Sequence, residues 1–518
     1  MRTLAYLASM VLVASCGGKK AGDDKAAPDP KASPTDKGSA GSAESAGSDG
    51  SASAAKPAAT ATVSVTSKSP EAIKVFEQGR DLTDGERGPE AVELFKKAIE
   101  LDPEFALAHA YLGIVTQGPP GAAELDKAKT LAAKLPEAER LVIEGAQASR
   151  TGNRAAMIAA YTKLSELAPG DWRVMLALGW DAVDTNDHAK AIKSFEKALA
   201  IKADLAIAQD GLAYAHAGLR EWDAAIAAAK KQVELLPKQP NPQDTLGEIL
   251  LLAGKFEDAE KAFHAALEIE PKYNTAWQGI ALSRAYRGDW KGTFEASESQ
   301  NVGAVDTYDS VEVIKDGAWL AFAGGNLPDA LVRLDVIEAD ADAKKTPAYA
   351  FAALARASML QLGGKPADAT KWLELGRTRG EALPAVSKRI VSRDHAIGVL
   401  RTAALTAKAD AGADKLVAGL DQDAKDSGDP SYAAWGHGLA AWAKTGAKDA
   451  VAELTKCRPQ LLACRFDLAA AQRKAGDAAG ADATEKQIRE LPQREASAVY
   501  FVTTLAPAPA APTVAPKK

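Results

Sequence analysis

The chain has 518 residues, of which 25% are charged, 47% hydrophobic and 6% aromatic. Its 63 basic residues face 69 acidic ones for a net charge of −6, so the basic surplus of a nucleic-acid binder is missing. Three cysteines in this length exclude a disulfide scaffold and zinc modules built on cysteine pairs. No apolar run approaches the roughly 20 residues that a membrane-spanning helix needs.

The start reads MRTLAYLASMVLVASC, with Arg2 as a positive n-region and an apolar stretch from Leu4 to Ala14. That stretch has the length of a signal-peptide core and is too short to span a bilayer. Val13-Ala14-Ser15-Cys16 resembles the lipobox of bacterial lipoproteins. The resemblance implies cleavage of residues 1–15 and lipidation of Cys16, which anchors the protein without a transmembrane helix. The alternative is an ordinary secretory signal with an incidental cysteine. Gly17 stands where an Asp resembles an inner-membrane retention signal in enteric bacteria, so the implied address is the cell envelope, lipid-anchored in the outer membrane and facing the periplasm.

Residues 16–67 carry the candidate lipidated cysteine and a stretch rich in Ala, Ser, Gly and Pro, whose branched apolar residues are Val63 and Val65. Such a composition buries too little apolar surface to offset its ordering entropy, so the segment is expected to be a disordered tether. Residues 506–518 form a second, Pro/Ala-rich tail.

Residues 68–300 repeat. Segments beginning at Ala72, Ala106, Ala138, Trp172, Ala206, Pro240 and Asn274 are spaced by 34 residues, once by 32. Their eighth positions are Gly79, Gly113, Gly145, Gly179, Ala213, Gly247 and Ala281, and the twenty-fourth are aromatic at Phe95, Tyr161, Phe195 and Phe263. Gly152, Asn186, Gly254 and Gly288 fall at position fifteen, where a helix would end in a left-handed residue. Prolines 103, 136, 169, 237 and 271 punctuate the repeat ends. The pattern is similar to the tetratricopeptide repeat (TPR). The resemblance implies an all-α, right-handed superhelical solenoid of antiparallel helix pairs, stabilised by stacking because no pair buries its apolar face alone. The second repeat departs from the pattern, with Gly118-Pro119-Pro120-Gly121 where its second helix should begin, and the seventh is weak in its second helix.

Residues 301–505 continue in degraded form. Gly325 to Ala330, Gly364 to Ala369 and Gly476 to Ala481 keep a five-residue Gly-to-Ala spacing, while Gly446 meets Val451. Trp435, Leu439 and Trp442 share one helical face. These residues are expected to form a divergent helical-repeat region.

Among TPR proteins the first helix of each repeat lines a concave groove at positions two, five, nine, twelve and thirteen. Carried onto this chain, those positions include Arg173, Leu176, Trp180, Asp184, Asp210, Tyr214, Asn241, Asp244, Glu248, Thr275, Gln278 and Tyr286. The Lys/Asn pair of a chaperone carboxylate clamp is absent; Asp210 with Tyr214 and Asp244 with Glu248 suit an extended peptide carrying Lys or Arg. The plainer alternative is a row of ordinary solvated positions.

No phosphate-binding, dinucleotide, zinc-protease or nucleophile-elbow motif is present. The six histidines lack ligand spacing, and His109 reads as a packed residue. No catalytic residue, metal or cofactor is therefore assigned. Cys457 and Cys464 would be too far apart for a bridge on one unbroken helix, but Pro459 between them favours a turn, which leaves a disulfide or two packed thiols. The reading is a membrane-anchored interaction scaffold or adaptor of the bacterial cell envelope, with other envelope proteins or peptides as partners. The alternatives are a glycan-capture lipoprotein, which would show exposed tryptophans away from helix packing, and an enzyme concealed in residues 301–505.

Overall fold

In the computed structural model, residues 60–505 are described, apart from 86, 117, 304–306 and 341–342. Cys16 and the segments 1–59 and 506–518 lie outside the described residues. Seven helix hairpins occupy residues 70–303. They are α1 (Pro70–Asp84) with α2 (Gly88–Leu101), α3 (Ala106–Val115) with α4 (Gly118–Leu131), α5 (Glu137–Arg150) with α6 (Arg154–Leu167), and α7 (Trp172–Asp184) with α8 (His188–Ile201). There follow α9 (Ala206–Gly218) with α10 (Trp222–Leu235), α11 (Pro240–Leu252) with α12 (Phe256–Ile269), and α13 (Asn274–Tyr286) with α14 (Trp290–Gly303). Each first helix begins within two residues of its predicted repeat start.

Helical pairing continues in the second half, as the degraded spacing predicts. Helix α15 (Thr307–Ala323) pairs with α16 (Leu327–Ala339) and α17 (Ala348–Leu362) with α18 (Pro366–Gly380). The long α19 (Ala385–Thr406) packs on α18, α20 (Ala413–Ser427) and α21 (Ser431–Thr445). Helix α21 pairs with α22 (Ala447–Leu454), α23 (Leu462–Lys474) pairs with α24 (Ala478–Arg489), and α25 (Ala496–Thr504) is the last described element. The fold is an all-α solenoid of stacked hairpins.

The repeat signature has a steric cause. A Cβ added at Gly179 would lie 2.6 Å from the Phe195 ring, and one at Gly211, in the next repeat, 2.2 Å from the same ring. Phe263 stands likewise between Gly247 and Gly279. The aromatic at position twenty-four thus wedges between its own repeat and the next, and glycine on both sides makes room for it. Phe195 and Phe263 are fully buried, each contributing roughly 2–3 kcal/mol of apolar burial. In the fifth repeat Ala213 and Ala229 occupy the equivalent positions, both fully buried, so a larger residue on one helix accompanies a smaller ring site on the other.

Between the helices, Gly152 and Asn186 take the left-handed conformation expected of position fifteen, with φ of 72° and 59°. Arg220 does the same at φ 62°, although its side chain carries no signal for it. The second repeat corrects the sequence expectation. Gly118-Pro119-Pro120-Gly121 forms the first turn of α4, where missing backbone donors do no harm, so the hairpin is complete. The seventh repeat's second helix, α14, also forms.

Residues 60–67 depart from the tether expectation as well. They run extended against the third and fourth repeats, with the amide of Gly170 donating to the carbonyl of Ala61 at 2.8 Å. Glu139, fully buried, accepts from Ser64 Oγ at 2.7 Å and from the Thr66 amide and hydroxyl at 3.1 and 2.6 Å. Asp102 accepts from Ser67 Oγ and the Lys68 amide at 2.5 and 2.9 Å. The segment is ordered because its alternate residues face the repeats and its polar groups meet buried carboxylates.

At the other end, α25 folds back onto α13 and α15, where Tyr500 stacks on Phe322 at 4.5 Å and Val499 is fully buried. The last elements thereby return to the middle of the array.

Candidate functional site on the concave face

On the concave side lies an open cavity of about 900 Å³. Its walls come from the first helices of successive hairpins, including Tyr214, Gln278 and Asp316 on one side and Arg393 and Tyr432 on the other, and residues 491–498 cross it. A smaller apolar cleft of about 90 Å³ lies between Tyr111, Met157, Tyr161 and Trp180 in the N-terminal repeats.

Of the sequence-predicted groove residues, Asp184, Tyr214, Glu248 and Gln278 line the larger cavity and Arg173, Leu176 and Trp180 line the smaller cleft, and most of the polar ones meet a partner from within the chain. The Arg173 guanidinium, lying over Trp172, is paired with Asp84 at the far end of α1. Burial opposes the Arg173 charge, yet Asp84 and its neighbours hold its pKa above the ordinary value. Trp180 packs edge-on against Phe195, 5.5 Å between centroids, and faces Tyr214 at 6.1 Å. Asp210 accepts from Thr245 Oγ1 at 2.9 Å, Tyr214 donates its hydroxyl to Glu248 at 2.9 Å, and Gln278 Nε2 donates to Asp316 at 2.5 Å. Burial pushes Asp316 up to about 6.

The central partner is Arg494, which follows α24 in an irregular stretch. Its guanidinium donates to Asp244 Oδ1 at 2.6 Å, to Glu248 Oε2 at 2.8 Å and to the Thr275 carbonyl at 2.9 Å, and lies 5.3 Å from the Phe263 ring centroid. Only 9% of its side chain is exposed. Desolvation works against that charge; Asp244 and then Glu248 outweigh it and hold Arg494 well above its usual pKa. One residue earlier, the Tyr286 hydroxyl accepts from the Gln493 amide at 2.9 Å and donates to its carbonyl at 2.8 Å. The chemistry expected of this groove, a cation on paired carboxylates beside an aromatic ring, is present, but the occupant is the protein's own chain. Sequence reasoning missed Arg494, Asp84 and Asp316; Asp84 stands at position thirteen of the first repeat, whereas Arg494 and Asp316 belong to no intact repeat.

Cys457 and Cys464 are joined by a disulfide, with Cα atoms 6.5 Å apart across the turn between α22 and α23. The turn carries residues 460–463 to the cavity wall. His109, 1% exposed, has acceptors at both ring nitrogens, from Glu124 and the Pro103 carbonyl. All nine tryptophans are buried or half-buried, so the exposed platform that would favour glycan capture is not formed by them. Among the described residues no group of three or more His, Cys, Asp or Glu side chains is placed to hold a metal ion.

The family model for the tetratricopeptide repeat matches residues 173–205. The chain carries a tetratricopeptide repeat. The match covers the fourth hairpin, where the Gly179–Phe195 wedge lies. The chain is also 24% identical over 130 residues to small glutamine-rich tetratricopeptide repeat-containing protein 2 of Mycosarcoma maydis, a span of 25% of this chain and 37% of that protein. Little more than a third of that relative is therefore matched. Among solved structures it is similar to MamA, with 23% identity over 31% of this chain and 93% of that one and a TM-score of 0.28. It is similar also to PilW, titled a widely conserved type IV pilus biogenesis factor, with 14% identity over 45% and 94% of the two chains and a TM-score of 0.30.

Proposed function

We propose that this protein is a lipid-anchored scaffold of the bacterial cell envelope that binds other envelope proteins or peptides on the concave side of its repeats. The observation that carries this reading is the grip on residues 493–494, in which groove positions of two successive repeats, Asp244 and Glu248 in one and Thr275 and Tyr286 in the next, hold an extended stretch of peptide by backbone and side chain together. A surface that holds its own chain in this way has the chemistry to hold another's. The lipobox-like start, with Cys16 as the lipidated residue, supports the anchor, and Gly17 supports the outer membrane.

Two measurements test the reading. A photo-crosslinking residue placed at Asn186 or Arg220, both exposed at the cavity wall, should capture protein partners in native envelopes. The same residue at Lys261, on the exposed outer face of α12, should not. Equal capture from both faces would remove the concave assignment. Separately, Cys16→Ser should move the protein from the membrane fraction to the soluble one; a variant that stays membrane-bound would refute the anchor.

A further inference from the structure

Residues 490–495 differ from the rest of the second half in how they are held. They have no regular backbone, and they join α24, which packs on α23, to α25, which packs on α15. Apart from the Gln493 side chain, which donates to the Gln460 carbonyl at 2.7 Å, and Leu491, which packs by Leu462 and Ile488, their long-range contacts run to the N-terminal repeats. The carbonyl of Glu490 accepts from Arg220, Gln493 is gripped by Tyr286, and Arg494 reaches Asp244, Glu248 and Thr275. This is the arrangement of a bound peptide whose two ends happen to be tied to the host.

The contacts also specify the side chain. Three acceptors, two from α11 and one from α13, converge on the two terminal nitrogens of one planar guanidinium, and Phe263 lies against it. A lysine ammonium offers a point charge without the fork and reproduces neither feature. Tyr286 holds the preceding residue, Gln493, through its backbone amide and carbonyl.

We infer that Asp244, Glu248, Thr275, Phe263 and Tyr286 form an arginine-reading subsite, that the partner is an extended segment presenting an arginine to it, and that residues 490–495 are its resident competitor. The inference rests on the concave face being the partner surface. Displacement exchanges one arginine for another, so its energetic cost is local and the helices on either side keep their packing. The resident arginine lowers apparent affinity by the fraction of time it occupies the subsite.

The test uses the full chain and a fluorescent peptide of residues 490–496, which contains a single arginine. Arg494→Ala vacates the subsite and should bind the peptide at least tenfold more tightly than the unaltered chain. Replacing the peptide's arginine with alanine should abolish that binding, and replacing it with lysine should weaken it about tenfold. Adding Asp244→Asn and Glu248→Gln to the Arg494→Ala chain should abolish it too. If Arg494→Ala fails to melt cooperatively, Arg494→Lys replaces it, keeping the charge and losing the fork, with the same order of peptides expected. A folded variant that binds no more tightly than the unaltered chain, or that binds the arginine-free peptide equally well, overturns the inference. Because the probe is synthetic, that failure leaves the capture of envelope partners at other concave positions a separate question.

Discussion

Arg494 and Asp244 are 250 positions apart in sequence, and 2.6 Å separates their charged atoms. With 9% and 8% of their side chains exposed, the pair is almost fully removed from water. Removing one partner of such a pair leaves an uncompensated buried charge, at a cost of about 3–5 kcal/mol. Arg494→Met should therefore destabilise this docking by that amount, seen as accelerated hydrogen exchange of the Gln493 amide and of α25. Combining it with Asp244→Asn and Glu248→Gln should restore most of the loss, because no charge is then stranded. A triple variant as unstable as the single one would show that packing, not charge, holds the segment.

The wedge at Phe195 makes a prediction about repeat stacking. Gly179→Ala places a Cβ 2.6 Å from the ring and should cost about 1–3 kcal/mol by overpacking. Phe195→Ala should cost about 3–5 kcal/mol by leaving a cavity. The double variant reproduces the Ala213/Ala229 arrangement of the fifth repeat and should cost less than the sum, by more than 0.5 kcal/mol. Strict additivity in urea denaturation would mean that the glycine is not there to admit the ring.

These two relationships differ in how legible they were. Gly179 and Phe195 recur with the repeat period, because each hairpin solves the same packing problem, and the period gave the helix starts to within two residues. Arg494 belongs to no repeat, and its partners are set by how far the array curves, which local sequence does not encode. The groove positions were readable as inward-facing, but a position in a repeat does not say whether its partner comes from another molecule. Residues 62–67 did carry a signal. Thr-Val-Ser-Val-Thr-Ser alternates β-branched and small polar residues with the period of an extended strand, and composition averaged over the long tether hid it.

That extended segment takes its largest set of side-chain hydrogen bonds from Glu139. Its carboxylate accepts three hydrogen bonds from Ser64 and Thr66 while fully buried. Hydrogen bonds to a charged group contribute about 1.5–3 kcal/mol each at most, so Glu139→Ala should release the strand. The expected result is loss of amide protection at Thr66 and new protease cleavage within residues 60–68, while the helices stay protected. Unchanged protection at Thr66 would assign the docking to Val63 and Val65 instead.

The disulfide between Cys457 and Cys464 closes a short loop, with a sequence separation of 7. Loop-closure entropy for such a ring corresponds to about 2.5 kcal/mol. Cys457→Ser should reduce the stability of α21 to α24 by about that much, and it should loosen the cavity wall at residues 460–463. Alkylation without reductant followed by peptide mass analysis should find both thiols blocked to the reagent in the unaltered protein. Free thiols at both positions in protein recovered from its native compartment would remove the bridge.

Asp316 links the cavity to pH. Burial raises its pKa to about 6 against roughly 3.9 for an unfolded chain, and Gln278 Nε2 donates to it at 2.5 Å. Because the folded form binds its proton more tightly, the folded state holds more protons than the unfolded state between about pH 4 and 6, and stability falls as pH rises through that window. Two units correspond to about 3 kcal/mol of stability, fully present below pH 4 and lost above pH 6. Asp316→Asn keeps an acceptor for Gln278 without the charge. It should flatten this segment of the stability–pH curve and make the protein more stable than the unaltered chain at pH 7, while leaving the two equal near pH 4. Parallel curves for the two proteins across pH 4–7 would show that Asp316 is ionised at no cost, and that some other group, or water in the cavity, carries its charge.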